Sequence, residues 1–272
     1  MSLDGKIKLK AEHLCKIYFS AKGDMDAVED ISLEVKENEF LVILGPGQCG
    51  KSVFLNMLCG LEEPTNGKIY RDGTEIHGTD DKISMVFQGA QSALNPVMTI
   101  LDHIYETMKV HEPKTTKNDA ADRARKVLSV VNLSADRIMK MYPHELSGGM
   151  KQRVMIAMSL LLDPELIILD EPTTALDVIT QDYIFKILKK INRETGIAML
   201  LLTHDISIVA KFADYMAVMY AGRVVEYGRT ADVFRHKAHP YTRGLIMATP
   251  SLYGDLESMK PIGGTPPDLM EL

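Results

Sequence analysis

With 272 residues, 46% of them apolar, the chain can close one large core or two modest ones. Its 31 basic and 37 acidic side chains leave a formal charge of −6, without the basic excess of a nucleic-acid footprint, so no nucleic acid is expected as a partner. Cys15, Cys49 and Cys59 make neither an even disulfide set nor a CxxC metal pair, and no apolar run nears the roughly 20 residues that span a bilayer.

The N-terminus, MSLDGKIKLK, lacks an apolar signal core. Residues 7–18 alternate loosely, and after the turn-rich SAKGD the apolar Val28, Ile31, Leu33 and Val35 alternate with polar neighbours, which predicts an antiparallel sheet with one wet face. FLVIL (40–44) is a continuous apolar run, the mark of a strand buried on both faces. It ends in glycines, and from Lys51 the pattern turns helical, with Gly60 at the place of a C-terminal cap. A turn and short strand follow in 61–73, and ISMVF (83–87) reads as another buried strand.

From about 96 to 164 the signals are mainly helical, which suggests a helical insertion. LIILD (166–170) and AMLLLTH (198–204) return to buried strands, separated by a helix with Ile184, Ile187, Leu188 and Ile191 on one face. Strand, helix, strand implies parallel pairing through a crossover. A short helix, the strands MAVMY and RVVEY turning at Ala221-Gly222, and a helical HPYTRGLIMA complete the pattern, whereas GGTPPDL is too rich in glycine and proline to fold regularly.

Three clusters carry chemistry. Gly45-Pro46-Gly47-Gln48-Cys49-Gly50-Lys51-Ser52 fits the phosphate-loop pattern GxxxxGK[ST] between a buried strand and a helix. Loop N–H groups and the helix dipole suit a polyphosphate, with Lys51 reaching the β- and γ-phosphates and Ser52 a Mg²⁺ ion. Gln48 stands where many such loops have glycine, and Val53 where threonine is frequent; the pattern asks neither for a ligand. The alternative is a glycine turn before an ordinary helix.

LIILDE drives Asp170 and Glu171 to the C-terminal end of a strand, where open α/β sheets bind ligands. Asp170 can hold Mg²⁺ and Glu171 can polarise an attacking water as general base. Alone, such a pair is also a plain helix N-cap. Ser147, Gly148 and Gly149 open a helix about twenty residues earlier and form a second anion-ready turn, or, read by themselves, a serine N-cap.

Leu146-Ser147-Gly148-Gly149-Met150-Lys151-Gln152-Arg153 resembles the LSGGQ-type signature of ABC ATPases, and the resemblance runs from about residue 7 to 250. It implies an α/β fold, a P-loop NTPase ABC cassette with a RecA-like parallel-sheet core, an antiparallel β subdomain and a helical signature subdomain. The cassette would span 1–250, with the helical subdomain at about 96–164 and a tail at 251–272. ATP and Mg²⁺ are the implied cofactors. Two cassettes would pair head to tail, the signature of one closing over ATP on the other, with Asp177 in a D-loop crossing the interface. Gln88 resembles the Q-loop glutamine that senses Mg²⁺ and the attacking water. His204 resembles the switch histidine at the γ-phosphate, although an isolated histidine also serves as a cap. Tyr18 takes the place of the adenine-stacking aromatic, with Phe19 adjacent.

SALNPVMTI, the long segment YPHELSGGMKQRVMIAMSLLLDPELIILDEPTTALDV and HPYTRGL resemble dipeptide, oligopeptide and nickel importer ATPases. LVILGPGQCGKSVFLNMLCGLEEPTNGKIYRDG resembles the nitrate, sulfonate and taurine branch instead. The implied protein is the ATP-hydrolysing motor of an importer, peripheral at the cytoplasmic face of the cell membrane. Its partners would be transmembrane permease subunits, a second ABC ATPase (a copy or a paralogue) and, indirectly, an extracytoplasmic solute-binding protein. Peptides or nickel are the expected cargo; another importer branch or a non-transport ABC ATPase is the alternative. The chain lacks the cysteines of the C-terminal extension common in the peptide branch, so no iron–sulfur cluster is expected.

Overall fold

The structure is a computed structural model that describes residues 5–20, 23–89, 92–174 and 176–248. The expected tail at 251–272 lies outside the described residues. The chain runs β1 (Ile7–Tyr18), β2 (Met25–Lys36), β3 (Phe40–Leu44), α1 (Lys51–Leu58), β4 (Asn66–Arg71) and β5 (Thr74–Glu75). There follow β6 (Ile83–Val86), α2 (Ile100–His111), α3 (Lys117–Val130), α4 (Ala135–Ile138), α5 (Gly148–Ser159), β7 (Leu166–Asp170) and α6 (Val178–Thr195). The last elements are β8 (Ala198–Thr203), α7 (Ile206–Phe212), β9 (Tyr215–Tyr220), β10 (Arg223–Arg229), α8 (Thr230–His236) and α9 (Pro240–Ala248). They form two compact units, one from Met1–Asp80 with Ala198–Leu272 and the other from Asp81–Ile197.

In the first unit β1 pairs antiparallel with β2 and with β4, giving the order β2-β1-β4-β5. Leu9, Ala11, Leu14, Val28, Ile31, Leu33 and Val35 turn into the core, and the residues between them meet water, as the alternation predicts. β3 lies between β8 and β9, parallel to both, and β10 pairs antiparallel with β9. Every residue of β3 and β8 is buried, which is why both read as unbroken apolar runs. α1 stops at Gly60, whose φ of +68° is reached without strain by glycine. Its N–H donates to Met57 and that of Leu61 to Asn56, the reciprocal pair of a Schellman cap.

In the second unit β6 runs parallel to β7, Val86 opposite Leu169. The buried strand expected at 83–87 needs correction: Ile83, Ser84 and Met85 are half-buried, only Val86 is buried, and Phe87 lies beyond the strand, 49% exposed. Its only pairing among the described residues is with β7, and an edge strand is not enclosed as β3 is. The helices expected between 96 and 164 are present. Thr99 with Asp102 and Thr116 with Asp119 form capping boxes at the starts of α2 and α3. α3 packs on α2 and α5, and its buried residues are Ala120, Ala124, Val127 and Leu128. On α6, Ile184, Ile187, Leu188 and Ile191 are buried as their spacing requires. No helix among the described residues is long and apolar enough to cross a membrane.

Candidate functional site

The glycine loop at 45–50 leaves the C-terminal end of β3 and runs into α1. A Cβ at Gly45 would sit 2.4 Å from the Met219 carbonyl oxygen, and one at Gly50 2.0 Å from that of Ala27. Both pattern glycines are therefore fixed by lack of room; Gly47 has open space. Gln48 has a φ of +62°, the left-handed region that a glycine at this position would enter freely. Pro46 has no N–H to offer, and its carbonyl instead accepts from Lys51 Nζ at 2.5 Å. The Gly45 carbonyl takes a second hydrogen bond from that ammonium at 2.9 Å, and Cys49 Sγ lies 3.8 Å away. Lys51 is only 7% exposed, and burial pushes the neighbouring Cys49 thiol up against the opposing pull of this ammonium.

α1 begins with no side-chain cap and no acidic residue in its first turn, where Ser52 is exposed and Val53 half-buried. Its first N–H groups thus keep the donor character that attracts anions. Leu44 pairs with Thr203, so the loop and the exposed His204 leave the same edge of neighbouring parallel strands. Tyr18 ends β1, its hydroxyl donating to Glu62 at 2.5 Å and Lys16 Nζ lying 5.4 Å from its ring centroid. Burial, then that hydrogen bond, pushes its hydroxyl up to about 12. Phe19 beside it is 72% exposed.

In the second unit, β6 and β7 bring Gln88, Asp170 and Glu171 out of one sheet edge in the same way. Gln88 Nε2 donates to Glu171 Oε2 at 3.2 Å, leaving the amide oxygen as the glutamine's acceptor. Thr174, which belongs to none of the motifs above, donates its hydroxyl to the same Oε2 at 3.2 Å and lies 3.1 Å from the Glu171 carbonyl. Glu171 has a φ of +43°, a strained backbone for a non-glycine residue, while Asp170 is 7% exposed.

Ser147 caps α5, accepting from Met150 N–H at 3.3 Å, and the first turn carries no acid. Gly148 and Gly149 are half-buried in that turn. A Cβ on Gly149 would lie 2.7 Å from Thr180 Cγ2. Asp177 caps α6 by accepting from the Thr180 N–H (2.9 Å) and hydroxyl (2.6 Å), and the hydroxyl contact holds its carboxyl below the usual range. Thr180 thus joins the signature turn to the Asp177 turn, a role visible only in three dimensions. Arg153 ties α5 further, donating to the Asn132 carbonyl at 3.0 Å beneath the Tyr183 ring. Among the described residues no three His, Cys, Asp or Glu side chains cluster as a metal cage.

The first unit thus carries a constrained glycine loop before a bare helix start, the arrangement of a phosphate loop, and the second an acid pair at a strand end and a serine-capped glycine turn. A family profile described as ABC transporter matches residues 28–174, and one described as oligopeptide/dipeptide transporter, C-terminal region, matches 225–272. The dipeptide transport ATP-binding protein DppD of Caldanaerobacter subterraneus subsp. tengcongensis is 37% identical over 97% of this chain and 85% of its own length. The oligopeptide transport ATP-binding protein OppD of Salmonella typhimurium is 40% identical over 98% and 83%. Among solved structures, the dimeric cassette MJ0796 bound to ADP and Pi superposes with a TM-score of 0.71 at 32% identity, over 82% of this chain and 98% of its own. The chain belongs to the ABC transporter family and is an ATPase of that type.

Proposed function

We propose that this chain is the ATP-hydrolysing subunit of a peptide importer, peripheral at the cytoplasmic face of the membrane, working as a head-to-tail pair with a copy or a paralogue beneath separate permease subunits. The peptide cargo rests on the names of the relatives and on the C-terminal match, which favour it over nickel. The observation that carries the hydrolytic reading is Glu171, its carboxylate fixed by Gln88 and Thr174 at the end of β7.

The roles follow from the chemistry of each group. Lys51 exchanges the Gly45 and Pro46 carbonyls for phosphate oxygens, which as anions are the stronger acceptors. The N–H groups of the loop and of α1 take the remaining phosphate oxygens. A magnesium ion suits hydroxyl, carboxylate and amide oxygens, which Ser52 would offer it from the first unit and Asp170 and Gln88 from the second. Such an ion would supply positive charge to the bound polyphosphate. Glu171 accepts a hydrogen bond from the attacking water, and Gln88 and Thr174 keep its carboxylate in place for this. His204 meets the γ-phosphate, and Tyr18, its hydroxyl tied to Glu62, offers a ring face to adenine. Ser147, Gly148 and Gly149 reach the γ-phosphate of ATP on the other cassette, and Asp177 sits at the seam. Closing of the pair then moves the permease through the Gln88 loop.

Replacing Glu171 with Gln keeps the shape but removes the base. ATP binding should persist while turnover falls by about 10²–10⁴-fold, read by fluorescent-nucleotide titration and phosphate release. Near wild-type turnover would remove Glu171 from this role.

A further inference from the structure

The phosphate loop lies on more than its own strand. Gly45 is pressed against the Met219 carbonyl, and the Cys49 carbonyl accepts from the Gly222 N–H at 3.2 Å. The loop thus rests on the end of β9 and the β9–β10 turn. Tyr220, the last residue of β9, packs its ring on that of Tyr241 with centroids 4.5 Å apart and planes tilted by 40°.

Tyr241 stands in the first turn of α9, and that turn is anchored. Glu226 of β10 accepts from the Ala238 N–H at 2.9 Å and the His239 N–H at 3.1 Å. His239 Nδ1 accepts from the Tyr241 N–H at 3.2 Å, and Thr242 is fully buried. Burial pushes the Tyr241 hydroxyl up to about 12, and the Cys49 thiol of the loop is the next influence on it. Thr242, in that first turn, is the buried residue of α9, and the rest of its described residues are half-buried or exposed.

We propose that Tyr241 is a positioning residue for nucleotide binding: its ring holds Tyr220 and the β9–β10 turn, and that turn holds residues 45–50 in their phosphate-binding shape. The inference rests on the reading that this loop binds ATP. A chain of packed groups of this length transmits coupling of a few-fold to tens-fold in affinity.

The test is ATP affinity, by titration with a fluorescent ATP analogue, alongside turnover against ATP concentration for the full chain. Tyr241→Ala should weaken binding about three- to thirtyfold and raise KM alike, with turnover at saturating ATP close to wild type. Tyr241→Phe, which keeps the ring, should match wild type. Glu226→Gln, which loosens the anchor of α9 and leaves both rings, should weaken binding in the same direction by less, and it decides the matter where Tyr241→Ala does not fold. A folded Tyr241→Ala with wild-type affinity would overturn the proposal. So would a Phe variant as weak as the Ala variant, or unchanged affinity in Glu226→Gln. Failure of the unaltered chain to bind ATP would strike the loop assignment itself, a result distinct from all of these.

Discussion

Gln48 shows what one residue can and cannot tell. Its place in the loop pattern is legible, but the +62° φ that makes glycine common there is not, because it depends on how the loop lies on Met219 and Ala27. A left-handed non-glycine residue costs roughly 1–2 kcal/mol, partly offset by the extra freedom glycine gives the unfolded chain. Gln48→Gly should therefore melt at or slightly above wild type and keep ATP affinity. Gln48→Val, β-branched, should melt lower in the same assay. Lys51 is the opposite case, a residue whose chemistry is written in the motif. Lys51→Ala removes charge-assisted hydrogen bonds worth about 1.5–3 kcal/mol, so ATP affinity should fall at least tenfold in a binding titration. An unchanged affinity would argue against the loop assignment.

Elements were legible where a single period or run ruled them. β3, β7 and β8 are buried along their whole length and read as such. β6 misled because an apolar run does not reveal whether a strand has neighbours on both sides. α8 escaped because only Thr230 and Val233 of its seven residues are buried, too few for a helical period. The contact between the starts of α5 and α6 escaped for another reason: Thr180 stands far from Gly149 in sequence and has no motif of its own. That contact makes a sharp prediction. In Gly149→Ala the new Cβ meets the Thr180 methyl, which cannot swing aside while the Thr180 hydroxyl is held by Asp177. Overpacking of this kind costs about 1–3 kcal/mol, so the melting temperature and turnover should both fall. Adding Thr180→Ser, which removes only that methyl, should restore them.

Across the whole molecule, stability should carry the imprint of Glu39, whose burial no motif or period in the sequence marks. It is 1% exposed where β3 begins, and burial pushes its carboxyl from the ordinary 4.5 to about 7. The Lys36 N–H and ammonium pull the other way, while Asp214 and Glu34 add to the rise. The folded state thus binds the proton more tightly than the unfolded one. Its contribution is complete below pH 4.5 and is lost as pH rises through about 7, a change of at most about 3 kcal/mol. Glu39→Gln should flatten the fall in melting temperature between pH 5 and roughly pH 8; a fall as steep as wild type would place the titrating group elsewhere.

In the proposed pairing the Ser147 turn of one cassette completes the ATP site of another, so the ATP-bound state is an assembly of two chains. Glu171→Gln, by trapping unhydrolysed ATP, converts this into a measurement of mass. In sedimentation velocity with ATP and magnesium, the Glu171→Gln chain should run as a dimer, and without nucleotide as a monomer. Adding Ser147→Arg should leave ATP binding intact and abolish the dimer. A Glu171→Gln chain that binds ATP but stays monomeric, or a dimer indifferent to Ser147→Arg, would rule out this pairing.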